Sequence, residues 1–426
     1  MPFTDLVAEN RVHRKVYVSP VVLDAERERI FGGSWLYVGH DSQIPAAGDY
    51  FCTEVAGRPV FMIRHGSGDV HVLHNHCPHR GALVAGGRTG NARMLRCCYH
   101  GWTFQVDGRL QAIPCMESYE GSEVRIGDPR FDLKPLRSAV YRGFVFATLN
   151  DDAPALAAWL NQAAAVLDNM TERAPDGKLE IAGGCFRAVQ RNNWKVYLEN
   201  LHDGMHPKFV HQSSLRASDR VCRGEEPDAG SDAALRMRII AANDQDFEQM
   251  NALTVDCFGA GHSTMRGFRN PRSDDPVARE YEEALVARRG AAEADRILSL
   301  NYHNANIYPN LSVHPSFMQL RVIFPVSVDR TLVEIWTLRL KGAGDAFNRR
   351  NILYANTVHS PSSIIKVDDL EAYRRVQAGN AGGTEWVSQH ARDRTASGDA
   401  TGSALSEHYI RHQYRAWGHY MEGHRS

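Results

Sequence analysis

Two short stretches carry residues that bind metals. Cys77-Pro78-His79 and Cys97-Cys98-Tyr99-His100 each offer one thiol and one imidazole, and seventeen residues separate them. Four cysteines would suit an ordinary iron–sulfur cluster. Two Cys plus two His in two loops suit a Rieske [2Fe–2S] centre, where Cys77 and Cys97 would hold one iron and His79 and His100 the other, raising the reduction potential. The competing reading is structural zinc, which also accepts two Cys and two His. Zinc half-sites usually pair Cys with Cys and His with His, whereas each half here mixes them. The flanks, Cys-Pro-His-Arg-Gly (77–81) and Cys-x-Tyr-His-Gly-Trp (97–102), set turn formers beside each pair. Such turns let backbone N–H groups approach sulfur and tune its potential.

A one-electron carrier implies a consumer of electrons. The stretch NNWKVYLENLHDGMHPKFVH (192–211) contains Asp203-x2-His206-x4-His211. Two neutral imidazoles and one carboxylate make the facial triad of non-heme Fe(II) oxygenases, which leaves positions open for O2 and substrate. On an ideal helix a five-residue step turns by about 140°, so His206 and His211 would not share a face. Pro207 relieves this, because a helix breaks or distorts at proline. Without the first site, the same histidines would read as scattered residues of a surface helix.

The elements that must position these groups change along the chain. VVLDAERERIF (21–31) spaces its apolar residues as a helix does. From 35 to 150, short β-rich runs such as PVFMIRH, DVHVLHNH and GFVFATLN alternate with Gly, Asp and Asn turns, and the two loops fall at hairpin tips. Residues 151–172 turn helical. Beyond them, strands are expected at 179–189, 235–241, 305–313, 317–326 and 332–341, and helices at 192–205, 276–298 and 365–378. Residues 222–232 and 379–403 read as loops, candidates for lids. The class is α+β: an all-β domain (35–150) inserted between an N-terminal helical segment (1–34) and a larger domain (151–426) with an antiparallel sheet flanked by helices.

The composition narrows the function. The 426 residues suffice for two domains, and 49 basic against 50 acidic side chains give a net charge of −1. No basic surplus points to nucleic acid or to a membrane surface. The eight cysteines show no disulfide framework, the start lacks the pattern of a signal peptide, and no apolar run spans a membrane. A cytoplasmic protein fits. No Gly-x-Gly-x-x-Gly fingerprint is present, so a nicotinamide cofactor is expected on a separate protein.

Both loops, together with Asn193-Trp194-Lys195, Glu199-Asn200, Asp203, His206 and His211, resemble the α subunits of bacterial Rieske ring-hydroxylating oxygenases. Segments 28–50, 306–336 and 411–421 are similar to that family too. Cys98 departs from it, since the family usually has Pro there. The resemblance implies a Rieske domain and a catalytic domain of helix-grip, START-like fold. It implies iron ligation by His206 and His211. It also implies that Asp203 bridges His206 to a neighbouring subunit's histidine, the one matching His100. VDDLEAYRRVQAG (367–379) is similar to the family's downstream acidic helix, which puts the third iron ligand at Asp369, with Asp368 and Glu371 as fallbacks. Acids at a helix N-terminus would be favoured there anyway.

The implied activity is hydroxylation of an aromatic substrate with O2, first of all cis-dihydroxylation, with monooxygenation as the alternative and a bare electron carrier as a remote one. Electrons would come from NAD(P)H through a reductase, with or without a ferredoxin. The implied assembly is a trimer, with or without a small β subunit. Phe209, Val210, Ile307, Leu311, Phe317 and Met318 are candidate pocket residues, or ordinary core. Arg236, Arg238 and Arg321 offer charge for an aromatic carboxylate, though each reads more readily as a surface or strand-edge residue.

Overall fold

The protein is described by a computed structural model covering residues 2–224, 232–241, 244–267, 275–388, 392 and 401–423. It divides into two compact units, one of residues 27–158 and one combining residues 1–26 with 159–424.

The smaller unit is built of hairpins. Strands β1 (Leu36–His40), β9 (Arg137–Tyr141) and β10 (Phe144–Thr148) form one sheet in the order β9-β10-β1. Strands β2 (Asp49–Val55), β3 (Arg58–Arg64), β4 (Val70–His74) and β5 (Thr89–Asn91) form another, ordered β4-β3-β2-β5. A third holds β6 (Leu95–Arg96), β7 (Thr103–Phe104) and β8 (Leu110–Ala112). Two-residue turns at Ala56-Gly57 and Arg142-Gly143 have positive φ at both positions, which matches the right-handed twist of the strands they join. Phe61, Ile63, Leu73, Trp102 and Phe104 pack into one core, and Cys77 and Cys97 belong to it.

The larger unit centres on an eight-stranded antiparallel sheet. Its strands are β11 (Leu179–Gln190), β12 (Thr254–Cys257), β13 (Ser263–Arg266), β14 (Tyr302–Ile307), β15 (Leu311–His314), β16 (Gln319–Ser327), β17 (Arg330–Leu340) and β18 (Gly402–Ser403). The order is β11-β17-β16-β15-β14-β13-β12-β18. The site helices are α1 (Trp194–Asn200), α2 (Pro207–Val210), α3 (Gln212–Cys222), α4 (Asp232–Ala241), α5 (Lys366–Gly382) and α6 (His408–Met421).

Several expectations are corrected. The strand expected at 235–241 is helix α4, because Ala, Leu, Arg and Met favour a helix and no sheet edge claims the segment. β12 and β13 have too few residues to show a period of their own and are recruited by pairing. The helix expected over 276–298 breaks at Gly290, whose φ is +83°. The helix expected over 192–205 stops at Asn200. In the region read as loop at 379–403, α5 continues to Gly382 and Trp386–Ser388 is a strand. Residues 389–391 and 393–400, like 225–231 of the other loop, lie outside the described residues.

A buried polar knot ties α1 to the N-terminal segment. Glu26 and Lys195 are both 0 % exposed and lie 2.6 Å apart. Trp194 and Trp417 donate their indole N–H groups to the Glu26 carboxylate at 2.8 and 2.7 Å. Every charge there has a partner, so removing one leaves another stranded. Lys195→Met should cost about 3–5 kcal/mol in denaturant unfolding, with part recovered by adding Glu26→Gln. A loss below about 1 kcal/mol would show that the pair contributes little.

Candidate metal centres

The two Cys-His loops repeat one backbone design. Cys77 N–H donates to Ala82 O at 2.8 Å and Cys97 N–H to Trp102 O at 2.8 Å. Gly81 N–H returns to Cys77 O, and Gly101 N–H to Cys97 O. Both glycines have positive φ, 75° and 70°, which a residue with a Cβ resists. His79 and His100 come together with ring centroids 4.5 Å apart, and His79 stacks flat on Trp102. His100 Nδ1 is buried without a hydrogen-bond partner. Burial pushes the Cys77 thiol up to about 11, opposed by the N–H groups of His79 and Arg80 that point at its sulfur. Those N–H groups are the kind that tune a cluster sulfur. Cys98 faces solvent, so the extra thiol stands apart from the pair. Asn75 was not anticipated: its side chain takes the N–H groups of Val84 and Ala85 and donates to Ala85 O, pinning the first loop.

In the larger unit, His206, His211 and Asp369 converge, with one ligand atom from each within 4.8 Å of the others. The chain breaks before His206 rather than after it. Pro207 then opens α2 as its first residue, where a missing N–H costs nothing. One turn later His211 N–H bonds Pro207 O, and α3 begins. The two imidazoles end with centroids 5.5 Å apart. Gly204 lets this turn press on the chain at Ala404, since a Cβ there would lie 3.0 Å from Ala404 Cβ and O.

Asp369 comes from the first turn of α5 and is buried. Its Oδ1 lies 3.3 Å from His211 Nε2 and 3.7 Å from His206 Nε2, yet has no hydrogen-bond partner. Its Oδ2 faces Lys366 Nζ at 3.3 Å. Burial alone would raise the Asp369 carboxyl, but Lys366 and the two imidazoles outweigh it and hold it well below the usual range. Burial lowers His206. A carboxylate oxygen without a donor, beside imidazole nitrogens, is the donor set a first-row cation takes, so the residues fit the 2-His-1-carboxylate group.

Of the fallback acids, Asp368 instead meets the far side of His211, its Oδ2 3.5 Å from Nδ1 and 3.3 Å from Ser214 Oγ. Glu371 is spent on Arg374 and Arg375 at the surface. The hydrogen bond expected from His206 to the Asp203 carboxylate is not formed. Asp203 Oδ1 caps Met205 N–H at 2.7 Å instead, and His206 Nδ1 has no hydrogen-bond partner.

One cavity of about 150 Å³ opens on the triad. Arg321 of β16 lines it and is only 2 % exposed, and among the described residues no acid pairs with it. Arg236 and Arg238, on α4, are exposed. None of the six expected pocket residues lines the cavity: Phe209 is 69 % exposed, and Ile307, Leu311 and Met318 lie in the core. Lys366, His314 and His359 line it instead. Lys366 carried a signal, three residues ahead of Asp369 on one helix face. The two histidines carried none.

The Rieske [2Fe-2S] domain family matches residues 34–131, and the ring hydroxylating alpha subunit (catalytic domain) family matches residues 172–423. The chain belongs to the ring-hydroxylating α-subunit family. Toluate 1,2-dioxygenase subunit alpha of Pseudomonas putida is 32 % identical over 385 residues, 88 % of this chain and 80 % of that one. Anthranilate 1,2-dioxygenase large subunit of Burkholderia cepacia is 36 % identical over 376 residues, 87 % and 84 % of the two chains. The fold matches naphthalene 1,2-dioxygenase with indole bound at a TM-score of 0.79 and 24 % identity, over 100 % of this chain and 96 % of that one. This α subunit is thus the large, catalytic component of a multicomponent aromatic ring-hydroxylating oxygenase, whose cofactors are a Rieske [2Fe–2S] cluster and a mononuclear iron. Among the described residues no helix is long and apolar enough to cross a membrane.

A carboxylate on the far nitrogen of a ligating histidine fixes its tautomer and raises its basicity. Asp368→Asn should therefore weaken iron binding by roughly 10–100-fold in a chelator titration, with the visible cluster absorbance intact. Unchanged affinity would refute the contact.

Proposed function

We propose that Cys77, His79, Cys97 and His100 hold the cluster, that His206, His211 and Asp369 hold the iron, and that the substrate is a single-ring aromatic carboxylate, cis-dihydroxylated with both atoms of O2. The observation that carries the substrate reading is Arg321, a buried guanidinium without an acid partner in the cavity that the triad lines. A buried cation needs a counter-charge, and a planar guanidinium matches a carboxylate bidentately. Volume supports one ring: a cavity of about 150 Å³ holds benzene. The relatives acting on toluate and anthranilate, both aromatic carboxylates, agree.

When bound, the cluster supplies single electrons and the iron supplies activation of O2. The chain's own groups do the rest. Arg321 fixes the acid end of the substrate, and Met250, Leu253, Met265 and Val358 give the ring an apolar wall. Lys366 holds one Asp369 oxygen and leaves the other for metal. Asp203, about a quarter exposed and three residues before His206, is suited to meet a neighbouring subunit's histidine corresponding to His100. That reading calls for an assembly of subunits, and we propose with it a trimer with or without a β subunit, supplied from NAD(P)H by a reductase, with or without a ferredoxin, in the cytoplasm.

Arg321→Met should lower kcat/KM for benzoate by roughly 10–100-fold, the worth of a charged hydrogen bond. The wild-type enzyme should convert benzoate but not biphenyl. With labelled O2, two labelled atoms in the product support dihydroxylation; one indicates the monooxygenase alternative. Asp203→Ala should keep both metal sites while turnover collapses, and full turnover would exclude the bridging role.

A further inference from the structure

We infer that the substrate carries, beside its carboxylate, one neutral hydrogen-bonding substituent on the ring, a hydroxyl or an amino group, received by His314 and His359. The inference rests on the aromatic-carboxylate reading and sharpens it.

Beyond His206 Nδ1 and Asp369 Oδ1 of the triad itself, the buried polar atoms on the cavity lining that lack hydrogen-bond partners include Arg321 Nε, His314 Nδ1 and His359 Nε2. His314 is 1 % exposed, and its ring centroid lies 6.0 Å from that of His359. Buried donors and acceptors are nearly always satisfied, and each one left open costs about 1–3 kcal/mol. Three in one cavity therefore describe a ligand. A carboxylate can take the free Arg321 Nε–H together with a hydrogen of Nη2, whose other contact is Asn304 Oδ1. That gives each carboxylate oxygen one bond to Arg321, and the two imidazole nitrogens remain for a second group.

Charge decides what they receive. Burial lowers both histidines well below their ordinary value, and the charge of Arg321 pushes the same way, so both rings are neutral. Lys366, the other Lys or Arg side chain on the lining, is engaged by Asp369 and by Tyr373 Oη at 3.2 Å. A second carboxylate would meet no free cation and would be costly to bury. A neutral hydroxyl or amino group can donate to one imidazole nitrogen and accept from or donate to the other, since each ring chooses its tautomer.

The test is calorimetric titration of the purified holoenzyme, without oxygen, with benzoate, its three monohydroxy and three monoamino derivatives, and benzene-1,3- and 1,4-dicarboxylate. At least one substituted monoacid should bind at least about tenfold more tightly than benzoate, as expected where a site is built to bond a substrate OH or NH. Both dicarboxylates should bind more weakly than benzoate. The ratio of the preferred acid to benzoate should fall towards one in His359→Phe and recover in part in His359→Gln, which keeps hydrogen-bonding capacity. If benzoate binds as tightly as every derivative in the wild-type enzyme, water satisfies the imidazoles and the inference fails while the carboxylate reading stands. If a dicarboxylate binds most tightly, the charge argument fails. If no aromatic acid binds, both readings fail together.

Discussion

The site depends on a carboxylate that is buried and still ionised. Asp369 is taken out of water, which penalises its charge, and is compensated on two sides. Lys366 faces one oxygen, and the two imidazoles gather at the other. Lys366 is itself packed over the rings of Tyr197 and Tyr373 at 4.9 and 4.8 Å, so its ammonium has little freedom to move. Tyr373 then reaches Asn200 at the end of α1 at 2.6 Å. A carboxylate fixed at one oxygen presents the other in one direction, which a metal of defined geometry requires.

The smaller unit solves a related problem with backbone instead of charge. Each cysteine sits in the core and begins a loop that closes five residues later, with a glycine of positive φ at the fourth place. His follows two residues after Cys in one loop and three in the other, and the two imidazoles still come together. At Cys77 the N–H groups of His79 and Arg80 point at the sulfur, where a thiolate rewards them. Asn75 adds the side-chain bonds that keep the longer excursion to Ala85 in register.

The cavity shows how the sheet contributes specificity. Arg321 on β16 and His314 on β15 come from neighbouring strands, and His359 follows the helix Asp345–Val358. A sheet buried on both sides has little room for unpaired polar atoms, so a cluster of them marks the place reserved for a ligand. The buried Glu26–Lys195 pair is the contrasting case: it is equally deep, but both charges in it are matched and it does not line this cavity.

What could be read from the chain was local chemistry. Cys-x-His and Cys-x2-His in two loops, His-x4-His with a proline after its first member, and an Asp-Asp pair at a helix start are short patterns, and ligand chemistry restricts which residues can appear in them. The β texture of 35–150 and the long strands 179–189 and 332–341 were legible because their periods extend over enough residues. The strands of four residues, the helical state of 235–241 and the end of α1 were not, because pairing and packing outweigh propensity over such lengths. The substrate wall was least legible. Arg321, His314 and His359 have no mutual spacing in sequence, and because a buried arginine is rare, the sequence alone favours a surface position for Arg321. Sequence by itself determined which atoms can bind metal, since that is a property of side-chain type and short spacing. Only the tertiary structure decided which acid meets the histidines, and which polar groups stay unsatisfied around the cavity, because burial belongs to the whole packed chain.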